Sequence, residues 1–149
     1  LPEPDPTEEL REKLSEQEDR YKRMLAEYDN FRKRSARERE TLYTDAYAAA
    51  ITTLLPVIDN LERAAQQPCS DAEYQKGVGM IAKQMLDILE KGKITPFAAP
   101  GDAFDPQKHN AVLHMEDEAF GENVICEVLL RGYAMGDKII RHAMVKVAN

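Results

Sequence analysis

Between Asp5 and about Leu55 the chain runs for some fifty residues without a glycine and, after Pro6, without a proline. No other feature restricts the fold as much. Leu10, Leu14, Tyr21, Met24, Tyr28, Phe31 and Leu42 recur at alternating helical steps, with Gln17, Ser35 and Glu38 filling the same register. That spacing lays one narrow apolar stripe along a helix, the kind of stripe through which paired helices pack. At ~1.5 Å per residue such a helix is about 75 Å long and cannot cover its own stripe. The pattern calls for a partner.

The start of the helix is marked by Asp5 as N-cap, Pro6 at the first helical position and Glu8 closing a capping box. Leu1 to Asp5, with two prolines and acids, reads as the end of a disordered lead-in. A chain beginning at Leu1 rather than Met is expected to lack a preceding segment. Further on, Arg32, Lys33, Arg34, Arg37 and Arg39 crowd together where Ser35 and Glu38 weaken the seam. Such a tract suits a solvated coiled-coil face, a partner-docking patch or a nucleic-acid contact. The net charge of −7 opposes the last, because phosphate neutralisation needs a basic face, and residues 1–50 themselves carry 13 acids against 10 bases.

Ile51, Leu54, Leu55, Ile58, Leu61 and Ala65 carry the helical spacing straight through Pro56. A kink within one apolar face is therefore expected at Pro56 rather than a stop, with the helix ending at residues 66–68. Ser70 and Glu73 form a second capping box, and Tyr74, Val78, Ile81, Met85 and Ile88, with Leu89 beside them, give a second amphipathic helix ending at Gly92. Gly77 and Gly79 weaken that helix, which is the cost of close helix packing. Two such hairpins, one from each copy of a symmetric dimer, make a four-helix bundle.

From Lys93 the period becomes strand-like. Strands are expected at 93–97, 111–116, 124–131, 138–141 and 142–147, with a turn at Met135-Gly136-Asp137. The fold class is α+β: a long dimerisation helix over 1–55, a helical hairpin over 56–92 and a small β-rich domain over 93–149.

No catalytic, cofactor or metal constellation stands out. His109, His114 and His142 are isolated, and His109 reads as a turn or strand-edge hydrogen-bonding residue. Cys69 and Cys126 match no metal or redox spacing, which fits a reducing compartment, and Cys126 reads as core. Glu116, Asp117 and Glu118 read as a solvated strand end. No glycine-rich phosphate loop, signal-like stretch or run of membrane-spanning length is present. These residues point to a protein that acts by contact rather than by catalysis.

Five segments then occur in order: AEYDNFRKR, LLPVIDNLERA, KGVGMIAKQML, FDPQKHNAVLHMED and RGYAMGDKIIRHAMVKVAN. Together, from about Glu18 to Asn149, they resemble the GrpE family, the nucleotide exchange factors of the DnaK chaperone. The resemblance implies a homodimer with paired long helices, a four-helix bundle and one β domain per protomer. It implies a non-enzymatic role without cofactor or metal: binding the nucleotide-binding domain of DnaK and opening its cleft so that ADP escapes. It places Lys138, Arg141 and Val147 on the segment facing DnaK, with Leu129 nearby and Arg32 and Lys33 in a second contact region. Gly77 matches a helix glycine on which bundle geometry depends, and Pro56 lies in the matched kink segment. Asp105, Pro106, His109 and Asn110 shape the entrance to the β domain. At Lys138 the family can carry Arg, and the change keeps charge but loses the bidentate fork. A bacterial cytoplasm or an organelle matrix, with no nucleic-acid or membrane partner, completes the expectation. The competing readings are a coiled-coil scaffold or tether with a protein-binding β module, and a nucleic-acid binder using the tract from Arg32 to Arg39.

The resemblance also implies reversible loss of helix pairing on heating, and the seam-poor stretch from Arg32 to Glu40 is where pairing is weakest. Circular dichroism is expected to show two thermal transitions, an early reversible one in the helices and a later one in the β module. A single shared transition would contradict this.

Overall fold

The computed structural model describes residues 6–149. The expected cap at Asp5 and the lead-in before it lie outside those residues. Two helices, α1 (Pro6–Gln66) and α2 (Ala72–Lys91), precede six strands: β1 (Ile94–Phe97), β2 (His109–Met115), β3 (Val124–Leu130), β4 (Gly132–Met135), β5 (Lys138–Arg141) and β6 (Ala143–Ala148). The α+β class is as expected. Contacts divide the chain after Ala46 into two compact units.

Among the described residues the first unit is the N-terminal part of α1. Its seam is open to solvent, with Leu10 at 65%, Tyr28 at 64% and Leu42 at 69% exposure. Ion pairs along the helix, Lys13–Glu9, Lys33–Asp29 and Arg34–Glu38, are solvent-exposed and screened.

The second unit begins at Tyr47. Ala48, Ile51, Leu55 and Ile58 form the buried stripe of α1 and close on Leu89, Ile94 and Tyr133. Pro56 does not end the helix, which continues to Gln66. Its ring points to solvent, and just before it Thr52 and Thr53 donate their hydroxyls back to the carbonyls of Ala48 and Ala50. On α2 the face turned to its own chain is Ala82, Met85, Leu86 and Leu89, whereas Tyr74, Ile81 and Ile88 are exposed. The helix therefore has two apolar sides where the sequence reads as one.

Two cap details also differ from expectation. Asp71, not Ser70, caps α2, its carboxylate accepting the backbone N–H groups of Glu73 and Tyr74 at 3.1 Å. A charged acceptor is favoured at the positive end of a helix dipole. Gly92 does cap the C-terminus, but with φ −77; Lys93 takes the left-handed conformation at φ 62. A Cβ at 92 would lie 2.6 Å from the hydroxyl at the end of the partly exposed Tyr47 side chain and 3.2 Å from the Leu89 carbonyl, so a larger residue there has to displace Tyr47.

The strands form two three-stranded sheets, ordered β1-β4-β5 and β2-β6-β3. The first is antiparallel, and Pro96 is tolerated because β1 lies at its edge. In the second, β6 pairs parallel with β2 and antiparallel with β3. Ile125, Ala143, Val145 and Val147 form its core, against Phe97, Phe104 and Val128. β4 is the strand missing from the sequence reading. Its first three residues are buried, so no alternation betrays it. It opens at Gly132, where a Cβ would overlap the Phe97 ring and lie 2.9 Å from the Ala143 nitrogen. The expected turn into β5 is made by Gly136 at φ 59.

His109 anchors the loop before β2. Its Nδ1 accepts the Asp105 N–H at 3.0 Å, its own N–H donates to the Asp105 carbonyl at 2.8 Å, and the Phe97 and Phe104 rings stand beside it. This is the hydrogen-bonding role expected of it, in a buried setting. Burial lowers its pKa from the ordinary 6.5, with Asp105 and Asp102 opposing the shift. The folded chain thus holds the neutral ring, while the unfolded chain takes up a proton at higher pH. The stabilisation is complete above about pH 6.5 and is lost as pH falls below it. The urea midpoint is expected to drop between about pH 7.5 and 5.5, with a shallower drop in His109→Asn. An equal slope in the variant would contradict this assignment.

Candidate functional site

Four of the residues singled out in the sequence, Leu129, Lys138, Arg141 and Val147, lie in the β-rich part of the second unit, and the structure gives them different roles. Lys138 opens β5 opposite Met135 and is partly exposed. Leu129 is exposed at 44% on β3. Val147 is fully buried in β6, between His114 and Ile125 on the flanking strands. A side chain in that position reaches a partner only through the strand it holds in place.

Arg141 is committed within the chain. Its terminal nitrogens donate to both Asp59 carboxylate oxygens at 2.7 and 2.8 Å. It also donates to the Arg131 carbonyl, at 3.2 Å from Nε and 2.7 Å from a terminal nitrogen. The guanidinium stands 5.5 Å from the centre of the Tyr133 ring. Beside this pair Arg131 donates to Glu62 at 2.7 Å. Asp59 and Glu62 are one helical turn apart on α1, next to the buried Ile58, so both carboxylates face the strands.

Tyr133 completes the group. It is fully buried, and its hydroxyl has no hydrogen-bond partner among the described residues. Burial, reinforced by Glu62, pushes its pKa up to about 12, so the ring stays neutral beside the two ion pairs. Sequence reasoning missed Asp59, Glu62, Arg131 and Tyr133. The only local signal was two acids on the inward side of an apolar helix, and nothing in sequence pairs them with arginines 69 and 82 positions away.

Next to these ion pairs a cleft of about 190 Å³ is lined by Asp59, Glu62, Leu129 and Arg131 among others. Beyond it, the outward side of the β2-β6-β3 sheet carries Met144 and the Lys146–Glu127 ion pair, with Leu113 across the ladder from Lys146. Leu113 and Met144 are exposed apolar residues.

Arg32 and Lys33 belong to the first unit. Both are exposed, and Asp29 lies beside them, 2.7 Å from Lys33 and 3.8 Å from Arg32. The Lys33 hydrogen bond and charge hold the Asp29 carboxyl below its ordinary pKa. Gly77 sits inside α2, and a Cβ there would meet nothing within 4 Å in its own chain. Among the described residues no group of three or more His, Cys, Asp or Glu could hold a metal ion, and no helix is long and apolar enough to cross a membrane.

Residues 4–149 match the GrpE family model. Curated relatives bear the name Protein GrpE. The relative from Clostridium acetobutylicum is 50% identical over 136 residues, covering 91% of this chain and 68% of its own length. That from Clostridium beijerinckii is 49% identical over 88% of this chain and 63% of its own length. The Clostridium tetani protein is 44% identical over 97% and 72%. The chain therefore spans about two thirds of the relatives it matches.

Proposed function

The chain belongs to the GrpE family, and from that premise we propose that it is a homodimeric nucleotide exchange factor for a DnaK-type chaperone ATPase. It binds the nucleotide-binding domain, favours its open cleft and speeds the loss of ADP. The family match over nearly the whole chain carries this reading. The mechanism is linkage. A protein that binds the open cleft better than the closed one lowers the affinity for the nucleotide that closes it, and no side chain needs to touch that nucleotide.

Several features support the proposal. The open seam of α1, from Leu10 to Phe31, has the spacing of a two-helix interface. Leu54 and Val57 of α1 and Tyr74, Ile81 and Ile88 of α2 are exposed on the helical part of the second unit, and a second copy would bury them in a four-helix bundle. Gly77, with open space around it, then provides close helix approach across the dimer. On this reading residues 1–55 pair the chains, 56–92 build the bundle and 93–149 dock the chaperone. Lys138 and Leu129 contact the chaperone from the β-rich part, Arg32 and Lys33 from the helix, and Val147 holds β6 in place. The bacterial relatives favour a bacterial cytoplasm.

The test is the release of fluorescent ADP from the cognate chaperone. An exchange factor raises that rate by orders of magnitude, whereas a scaffold or tether leaves it unchanged. Lys138→Ala is expected to weaken the effect roughly three- to thirtyfold, the range for losing one interfacial charge, while the dimer stays intact. No change in the variant would remove Lys138 from the interface.

A further inference from the structure

We propose that Asp59 and Arg141, backed by Glu62 and Arg131, form a positioning clasp that fixes the orientation of the β1-β4-β5 sheet on α1, and that Arg141 influences nucleotide exchange through Asp59 rather than by touching the chaperone. The inference rests on the exchange-factor reading above.

The geometry carries it. Bonds to Asp59 and to the Arg131 carbonyl occupy nearly all the guanidinium donors of Arg141, leaving little with which to hold an outside group. The pair is largely withdrawn from solvent, with side-chain exposures of 17% for Arg141 and 13% for Asp59. Charges so placed are costly unless their geometry is well satisfied, and here the carboxylate is met by a two-pronged fork. The clasp also joins elements far apart in sequence. Arg131 immediately precedes β4, and Arg141 ends β5 opposite Tyr133. Asp59 and Glu62 lie on α1 just past the buried Leu55 and Ile58.

The apolar core around Tyr133 glues sheet to helix but is non-directional, so it sets contact without setting angle. Two ion pairs on adjacent turns remove the remaining freedom to swivel. That freedom matters for an exchange factor. A module that yields still binds but transmits less of its binding energy into opening the partner's cleft. Loss of the clasp therefore lowers the exchange rate at saturation more than it lowers affinity.

The experiment is a double-mutant cycle on the full chain with Asp59→Asn, Arg141→Gln and the two together, each checked for folding by circular dichroism. Affinity for the chaperone and the saturating rate of fluorescent-ADP release are measured separately. Each single variant is expected to lower the saturating rate about tenfold while affinity changes less than about threefold, and the double variant is no worse than the poorer single. Effects that multiply would overturn the proposal, as would a silent Asp59→Asn beside an Arg141→Gln that loses affinity, because Arg141 would then touch the chaperone itself. If Arg141→Gln does not fold, Arg141→Lys keeps the charge without the fork and is held to the same expectations. Residual dipolar couplings give a readout independent of the chaperone. Amides of β4 and β5 are expected to lose their common alignment with those of α1 from Tyr47 onward in Asp59→Asn, and an unchanged alignment overturns the clasp. If the unmodified chain fails to speed ADP release, the exchange-factor reading fails, and the couplings alone decide the clasp.

Discussion

An apolar stripe on a helix has to be covered by something, and α1 carries one stripe that its own chain covers and others that it does not. From Ile51 to Ile58 the stripe closes on Leu89, Ile94 and Tyr133, and that contact forms one core of the second unit beside that of the β2-β6-β3 sheet. From Leu10 to Phe31 the seam is exposed, and among the described residues of the first unit nothing closes on it. Burying a large apolar side chain is worth roughly 1.5–3 kcal/mol, so a seam of this length is a strong drive to associate. Pairing with a second copy, as proposed, would satisfy it with the same residues twice.

What could be read from the sequence follows from how local each signal is. The seam, the continuation of the helix through Pro56, the turn at Gly136 and the role of His109 all depend on neighbours within a few residues. They were legible. β4 was not, because burial of Gly132, Tyr133 and Ala134 removes the alternation that marks a strand. Asp71 displaced Ser70 as the cap because two good cap residues stand side by side, and only backbone geometry chooses between them. Gly92 looked like a conformational glycine, but its φ is ordinary and the left-handed conformation falls on Lys93. The clasp lay furthest out of reach. The family resemblance singled out Arg141 as facing a partner, whereas its bond to Asp59 is brought about only by the fold.

Apolar packing and paired charge meet in the second unit. There an apolar core holds helix to sheet, and a pair of ion bridges sets the angle at which it does so. The docking surfaces proposed on the strands would depend on that angle. Coupling between a bound partner and its nucleotide is a free-energy difference between two states of the partner, and a protein can supply it only through a body stiff enough to favour one of them.

The mass in solution tests the central claim, that a second copy covers the open helical seams. Sedimentation equilibrium at tens of micromolar, a concentration chosen to be about that at which a dimer of this kind is populated, is predicted to give twice the 16.9 kDa of one chain. A mass of one chain under those conditions would contradict the account.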